Sequence, residues 1–434
     1  MPHTLKEVLP SSARLRSDGH LEIGGADTVE LAREFGTPLF VMCEQTFRER
    51  ARRYREAYPR ADVYYAGKAF LCVEMARMVA AEGLGLDVAS GGELYTALKA
   101  DFPPERIIFH GNNKSDAELE MGLNGGVGRI VADSMEELER ADRIAGSLSA
   151  RGNVMLRVTP GVEAHTHEYI QTGQEDSKFG MSVEGGVALE AAKRARDLAN
   201  IDVVGFHSHI GSNITGVEAF LRTVEILAEF CATVRDATGI APAELNLGGG
   251  LGIAYTRGDF PARVESFATE VRAKLETEMK RYGLPVPRVG VEPGRWLIAN
   301  AMVTLYTVGT VKEIPGIRTY VSVDGGMSDN IRPALYGARY EALLANKADV
   351  PSDHVVTIAG SHCEQGDLLI KDVSLPASVA RGDILAVPAT GAYGYSMASN
   401  YNRFPRPAVI AVQDGRAREI IARETYDDLI ARDR

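Results

Sequence analysis

Cysteine is scarce in this 434-residue chain: Cys43, Cys72, Cys231 and Cys363 are the only four, and no two stand in a C-x-x-C spacing. That excludes a zinc ribbon and a disulfide framework, so any cysteine that matters acts as a thiol. Also missing is an apolar run approaching the roughly 20 residues needed to cross a bilayer. The opening Met-Pro-His-Thr-Leu-Lys-Glu is not followed by an unbroken apolar stretch either. A cytoplasmic protein with no membrane partner is expected. Basic runs are absent as well: 59 acids against 48 bases give a net charge of -11, and the charges are interspersed. Nucleic acid is not an expected partner. No internal repeat, low-complexity tract or flexible linker is visible.

What remains is an ordinary globular composition, 45% hydrophobic and 25% charged, in a chain long enough for two domains with buried cores. Eight short apolar segments, most of them rich in Val and Ile, follow one another at a spacing of roughly thirty residues. They are Val63–Ala66, Leu84–Ala89, Arg106–His110, Arg129–Ala132, Val154–Val158, Val203–Ile210, Glu244–Leu247 and Arg288–Val291. Helical patterns separate them. Cys72, Met75, Ala76 and Val79 share one helix face, with Gly83 placed to end it. Ser115 with Glu118, and Ser134 with Glu137, match capping boxes. Alternating strands and helices in this number predict a (β/α)8 barrel, whose chemistry belongs where the strands end. After about residue 300 the texture changes to Val, Tyr and Ile runs broken by Gly, Pro and Asp. Ala301–Val311, Tyr320–Asp324, His354–Ala359 and Ile384–Pro388 predict a mainly β domain. The expected division is 1–40 as an N-terminal segment packing with the β domain, through a strand-like Leu21–Ile23, then 41–300 as barrel and 301–434 as β domain.

Unusual residues gather at the predicted strand ends. Lys68 follows the first segment and can either form a Schiff base or escape to solvent at a loop. Gly248-Gly249-Gly250, after the seventh segment, offers unhindered N–H groups to an anion such as phosphate, but also suits a plain tight turn. Glu292-Pro293-Gly294-Arg295 closes the eighth, where the carboxylate and guanidinium can pair with each other or serve a ligand. A carboxylate facing a pyridine nitrogen keeps that ring protonated and a better electron sink. His207 and His209, with His165 and His167 upstream, raise a metal site, but no neighbouring Cys or carboxylate pattern completes a tetrahedral one, so no metal is expected. Cys363, in a polar loop bounded by Gly360 and Gly366, reads as a structural or a reactive thiol.

Taken in order, these segments resemble the diaminopimelate decarboxylase family of fold type III pyridoxal-phosphate enzymes, which share an alanine-racemase-like barrel. The likeness runs through Phe35–Leu39, Tyr65–Ala69, Leu86–Glu93, His209–Ser212, Leu247–Gly250, Glu292–Arg295, Arg332–Tyr336, Cys363-Glu364 and Ala392-Tyr393, nearly the whole chain. It implies pyridoxal 5'-phosphate on Lys68, His209 stacked on its ring, Glu292 at the ring nitrogen, and Ser212, Gly250, Pro293, Gly294 and Arg295 about the cofactor. It further implies Arg295, Arg332, Tyr336 and Glu364 at the substrate, Tyr393 touching both substrate and cofactor, and Cys363 as the catalytic thiol of a homodimer with a shared active site. The implied activity is decarboxylation of meso-diaminopimelate to L-lysine.

Three departures touch specificity: relatives often carry Val at Gly67, Asn at Phe70 and Ser at Gln365. Rival readings are a decarboxylase of ornithine, arginine or carboxynorspermidine, and a non-catalytic scaffold or cofactor carrier. Cys363-Glu364 argues against ornithine and arginine, whose enzymes usually carry Cys-Asp, and retention of both Lys68 and Cys363 argues against a non-catalytic role.

Overall fold

The computed structural model describes residues 7–162 and 177–434, so His165 and His167 lie outside the described residues. Two compact units make up the chain. One comprises Ala51–Gly252 and Pro261–Gly294; the other comprises the N-terminal part up to Arg50, Ile253–Phe260 and Arg295–Arg434.

The first unit is the barrel. Its strands are Ala61–Ala66, Gly85–Val88, Ile107–Phe109, Arg129–Ala132, Gly152–Thr159, Ile201–His207, Glu244–Asn246 and Arg288–Val291. Each pairs in parallel with the next, and the eighth returns to the first with Val289 opposite Ala61 and Val291 opposite Val63, closing the ring. Ile108, Val131 and Met155 form a buried cluster with Tyr64 and Val204 packed on it, which is why such β-branched and apolar runs settle as strands here.

Local chemistry sets the ends of these elements. The sixth strand stops at His207, short of the expected Ile210, because its partner ends at Asn246, whose side-chain Oδ1 turns to accept from Gly248 N at 2.8 Å. The helix Val73–Ala81 starts one residue later than its apolar pattern: Cys72 stands outside it as N-cap, its sulfur accepting from Met75 N at 3.4 Å, and Gly83 past the other end takes φ 74°. Both halves of the capping box form at Ser115 and Glu118. At Ser134 only one half forms, since the Glu137 carboxylate turns away to Lys114.

The second unit carries a sheet ordered Leu368–Leu375, His354–Ala359, Arg318–Val323, Met302–Ile314, Leu39–Cys43, Ala408–Gln413 and Arg416–Ile421, with Ile384–Pro388 also paired to Met302–Ile314. The four strands expected in the β domain are present, His354–Ala359 and Ile384–Pro388 with the expected ends and the other two with ends shifted by one to three residues. Leu39–Cys43 pairs with Met302–Leu305 on one side and Ala408–Val412 on the other, so this unit runs past residue 40 and takes in the first part of the following helix. All five residues of Leu39–Cys43 are buried, so both faces of this strand are covered. Leu21 and Ile23 sit in the same core as Val303 and Ile410.

Candidate active site

Glu292 follows directly on the eighth barrel strand and is buried. Its Oε1 accepts from Asn246 Nδ2 at 2.8 Å and meets His110 Nε2 at 2.8 Å, while Oε2 meets His207 Nε2 at 3.0 Å. Those partners lie at the ends of the seventh, third and sixth strands, so barrel closure alone brings them together. Burial pushes the Glu292 carboxyl up, but His110 and His207, whose Nε2 atoms meet its two oxygens, outweigh that and hold the group well below the usual carboxylate range. Burial holds His207 down to about 4. Asp87, from the second strand, stands 3.8 Å from His110 Nε2, and burial raises its carboxyl against the opposing charges of His110 and Lys68.

Lys68 sits in a single 3-10 turn, Gly67–Ala69, at the end of the first strand. It is exposed, while Gly67 and Ala69 beside it are buried, so it meets no burial cost. The turn is braced by Tyr65 Oη, which donates to Phe70 O at 2.8 Å, and by Ala66 N, which donates to Pro293 O at 3.2 Å. A Cβ at Gly67 would lie 2.8 Å from Asp87 O, so a valine here would force the turn away from the second strand. Phe70 is buried and Gln365 exposed. Half-buried His209 is held well below its ordinary pKa, first by burial and then by the charge of Lys68.

In the glycine run, a Cβ at Gly248 would meet Ser208 O at 2.6 Å, one at Gly249 would meet Glu292 O at 2.0 Å, and one at Gly250 would meet Gly211 O at 2.4 Å. Three backbones therefore converge where only glycine fits. Gly249 N donates to His209 Nδ1 at 3.2 Å. Ile214 N donates to Gly250 O at 2.8 Å, whereas the Gly250 N–H has no acceptor among the described residues.

The second unit carries a cluster of arginine and tyrosine of its own. Arg295 and Arg332 are both buried; Arg295 donates to Tyr255 Oη and Arg332 to Tyr340 Oη. The Arg295 guanidinium stands 4.7 Å from the Tyr393 ring centre, and that of Arg332 stands 4.8 Å from Tyr255. Burial raises the Tyr255 phenol, but the two guanidinium charges prevail and lower it. Half-buried Tyr336 lies one turn after Arg332 in the short helix Arg332–Tyr336.

In the same unit Cys363 and Glu364 project from a loop built on Asp367. That carboxylate accepts from Met327 N at 2.7 Å and His362 N at 2.8 Å and meets His362 Nδ1 at 2.9 Å. Cys363 N donates to Asn402 Oδ1 at 3.0 Å, and its side chain is exposed, unlike those of Cys43 and Cys231.

The family described as "pyridoxal-dependent decarboxylase, pyridoxal binding domain" matches residues 44–299. With 50% identity over 426 residues, 97% of each chain, the sequence is similar to the diaminopimelate decarboxylase of Halalkalibacterium halodurans. The chain belongs to the diaminopimelate decarboxylase family. The Bacillus subtilis diaminopimelate decarboxylase is 48% identical over 429 residues, 98% of each chain. Among solved structures, a diaminopimelate decarboxylase of M. jannaschii in co-complex with L-lysine matches with a TM-score of 0.90 and 37% identity over 98% of each chain. The (β/α)8 barrel with a mainly β domain is the architecture expected from the sequence.

Pyridoxal phosphate is the cofactor of the diaminopimelate decarboxylase family, and the barrel fits it. A buried carboxylate kept ionised suits a protonated ring nitrogen, the unaccepted Gly250 N–H suits a phosphate oxygen, and an exposed lysine at a strand end suits covalent attachment.

Sequence reasoning missed Asp87, His110, Asn246, Tyr255 and Tyr340. The first three were detectable as polar residues at the carboxyl ends of barrel strands, the position where function concentrates in this fold. His207 gains ligand-type neighbours that its sequence context does not show, His110 and Glu292, because closure joins the third and eighth strands to the sixth. Their separations, 2.8 and 3.0 Å, are those of hydrogen bonds. Glu292 and Arg295, read as a possible mutual pair, each have partners within their own unit.

Proposed function

We propose that the chain decarboxylates meso-2,6-diaminopimelate to L-lysine and carbon dioxide, the last step of lysine biosynthesis. The observation that carries the substrate assignment is Arg332, a buried guanidinium whose partners among the described residues are tyrosine hydroxyls and with which no carboxylate pairs there. A buried cation without a counter-ion favours an incoming anion and repels an ammonium group. Diaminopimelate carries a carboxylate at its distal end, whereas lysine and ornithine carry only an ammonium there. Arg332 receives that carboxylate with Arg295 and Tyr336, through the planar fork that a carboxylate matches, and Glu364 takes the distal ammonium.

Within this reading Lys68 carries the cofactor, His209 covers its ring, Glu292 faces its nitrogen, and Ser212, Gly250, Pro293, Gly294 and Arg295 hold its phosphate end. Tyr393 meets cofactor and substrate. The bound cofactor supplies an electron-accepting ring. Cys363 holds the proton delivered to Cα after carbon dioxide departs, a thiol's task as general acid. Its exposure, with that of Glu364, supports a homodimer in which each copy's loop completes the site of the other. A cytoplasmic location belongs to the same proposal and is supported by the four free thiols.

Carbon dioxide release from the purified protein with pyridoxal phosphate tests this, with meso-diaminopimelate, L-lysine, L-ornithine and L-arginine offered in parallel. Release from diaminopimelate alone, with lysine formed, is expected. Preference for another amine overturns the substrate, and release from none overturns the activity.

A further inference from the structure

We propose that His110 and His207 are positioning residues that, by donating from Nε2 to opposite oxygens of Glu292, keep the proton shared with the cofactor's ring nitrogen on that nitrogen. The inference rests on the reading above, in which Glu292 faces the ring.

The physical problem is burial. A carboxylate removed from water becomes more basic and competes for any proton it shares. Were Glu292 to capture it, the ring would lose the positive charge that makes it an electron sink. Donors on the carboxylate oppose capture by stabilising the anion.

Three such donors are in place. Asn246 Nδ2 reaches Oε1 at 2.8 Å, and its amide cannot turn over because Oδ1 accepts from Gly248 N at 2.8 Å. His110 Nε2 stands 2.8 Å from Oε1 and His207 Nε2 3.0 Å from Oε2. The tautomer of His207 follows from its other nitrogen. Nδ1 is buried without a hydrogen-bond partner, so a proton there would be both unsatisfied and desolvated, and the N–H therefore sits on Nε2, facing Glu292. With burial holding this ring down to about 4, it is neutral at working pH and donates a proton it does not surrender. The two imidazoles meet edge-on, ring centres 4.6 Å apart at 63°, so each restricts the rotation of the other. Among the described residues, the other charged groups at this end of the barrel include Asp87, 3.8 Å from His110 Nε2, Glu93, which accepts from Ala89 N at 2.6 Å, the buried Arg157, held by Asp133 at 3.7 Å, and Lys68.

The test compares His110→Leu and His207→Leu, which remove the donor and keep apolar bulk, with His110→Gln and His207→Gln, which keep an N–H. Glu292→Gln and the double variant His207→Leu/Glu292→Gln complete the set. Measured are the absorbance of bound pyridoxal phosphate against pH, its dissociation constant, and kcat and KM. The leucine variants are expected to shift the absorbance toward an unprotonated ring and to lower kcat about 100-fold with KM little changed. The glutamine variants should keep the spectrum and lie within about fivefold of wild-type kcat. In the Glu292→Gln background, His207→Leu should cost nothing more.

A wild-type spectrum and kcat in the leucine variants overturns the inference, as does an equal loss with and without Glu292. Should the leucine variants fail to fold, the glutamine pair decides: a folded glutamine variant as impaired as Glu292→Gln overturns it. If Glu292→Gln itself matches wild type in spectrum, affinity and kcat, the underlying reading of Glu292 fails instead.

Discussion

Lys114 Nζ lies 2.6 Å from Glu137 Oε1, with both side chains almost completely buried. Lys114 also donates to Gly111 O and Val131 O, both at 2.8 Å, tying the loop after the third barrel strand to the fourth. Burial lowers the Lys114 pKa and raises that of Glu137, so each charge depends on the other. Removing one partner leaves the other buried alone, at a cost of about 3–5 kcal/mol. Glu137→Ala should therefore lower urea-unfolding stability by that amount, while Lys114→Met/Glu137→Leu recovers most of the loss. A double variant as unstable as the single one would contradict this account.

The pH dependence of apoprotein stability carries a signature of His207. Its folded pKa is about 4 against an ordinary 6.5. Between those values the unfolded chain binds a proton that the folded chain excludes, so stability falls as pH drops from 6.5 toward 4 and this contribution levels off below. The whole effect is roughly 3 kcal/mol. Glu292, held low, adds its own loss only at more acid pH. Urea midpoints measured across this range should slope less in His207→Gln than in wild type; equal slopes would assign the wild-type slope to other groups.

How much of this was legible follows from what each residue type reveals alone. Short apolar runs, most of them rich in Val and Ile, marked the eight barrel strands, and Lys68, the glycine run and Glu292 stood out because charge or glycine at a strand end is unusual. His110, Asp87 and Asn246 are ordinary residues in sequence and acquire meaning only when closure gathers them around one carboxylate. Tyr255 and Tyr340 were invisible for the same reason, since their rings meet at 5.4 Å only after the second unit folds. Leu39–Cys43 carries no sign of which sheet it joins, and the largely exposed strand Arg416–Ile421 lacks the apolar face that marks a strand.

In the proposed function, Cys363 and Lys68 separate chemistry from cofactor retention. Cys363→Ala should keep bound pyridoxal phosphate and lower kcat by about 10²–10⁴, the range of a lost general acid. Lys68→Ala should abolish reductive trapping of the cofactor on the protein. Full turnover in the first variant, or unchanged trapping in the second, would remove the residue from its role.

Gly249 tests the backbone convergence. A methyl there would stand 2.0 Å from Glu292 O, so Gly249→Ala must displace either the glycine run or the turn that carries Glu292. Weakened affinity for pyridoxal phosphate is expected, by at least about tenfold, because in the proposed function both features serve the cofactor. Wild-type affinity would show that the run can shift without consequence.

Arg332 joins stability and specificity in one side chain. A buried guanidinium whose hydrogen-bond partners are the Tyr340 and Tyr255 hydroxyls and whose Nε has none among the described residues is an expense to folding that, in the proposed function, the substrate's carboxylate offsets. Arg332→Met, apolar and of similar length, should therefore unfold at the same temperature as wild-type apoprotein or higher. The same change should lower kcat/KM for diaminopimelate about 10²–10³-fold, since the distal carboxylate then meets no cation, and should leave the dissociation constant of pyridoxal phosphate unaltered. Arg332→Lys restores charge without the planar fork and should recover only part of the loss. Discrimination against L-lysine as substrate should narrow in parallel, because the repulsion of a distal ammonium is gone. A methionine variant that is strongly destabilised, or that retains full selectivity, would mean that Arg332 is a structural cation and that the distal carboxylate is recognised elsewhere.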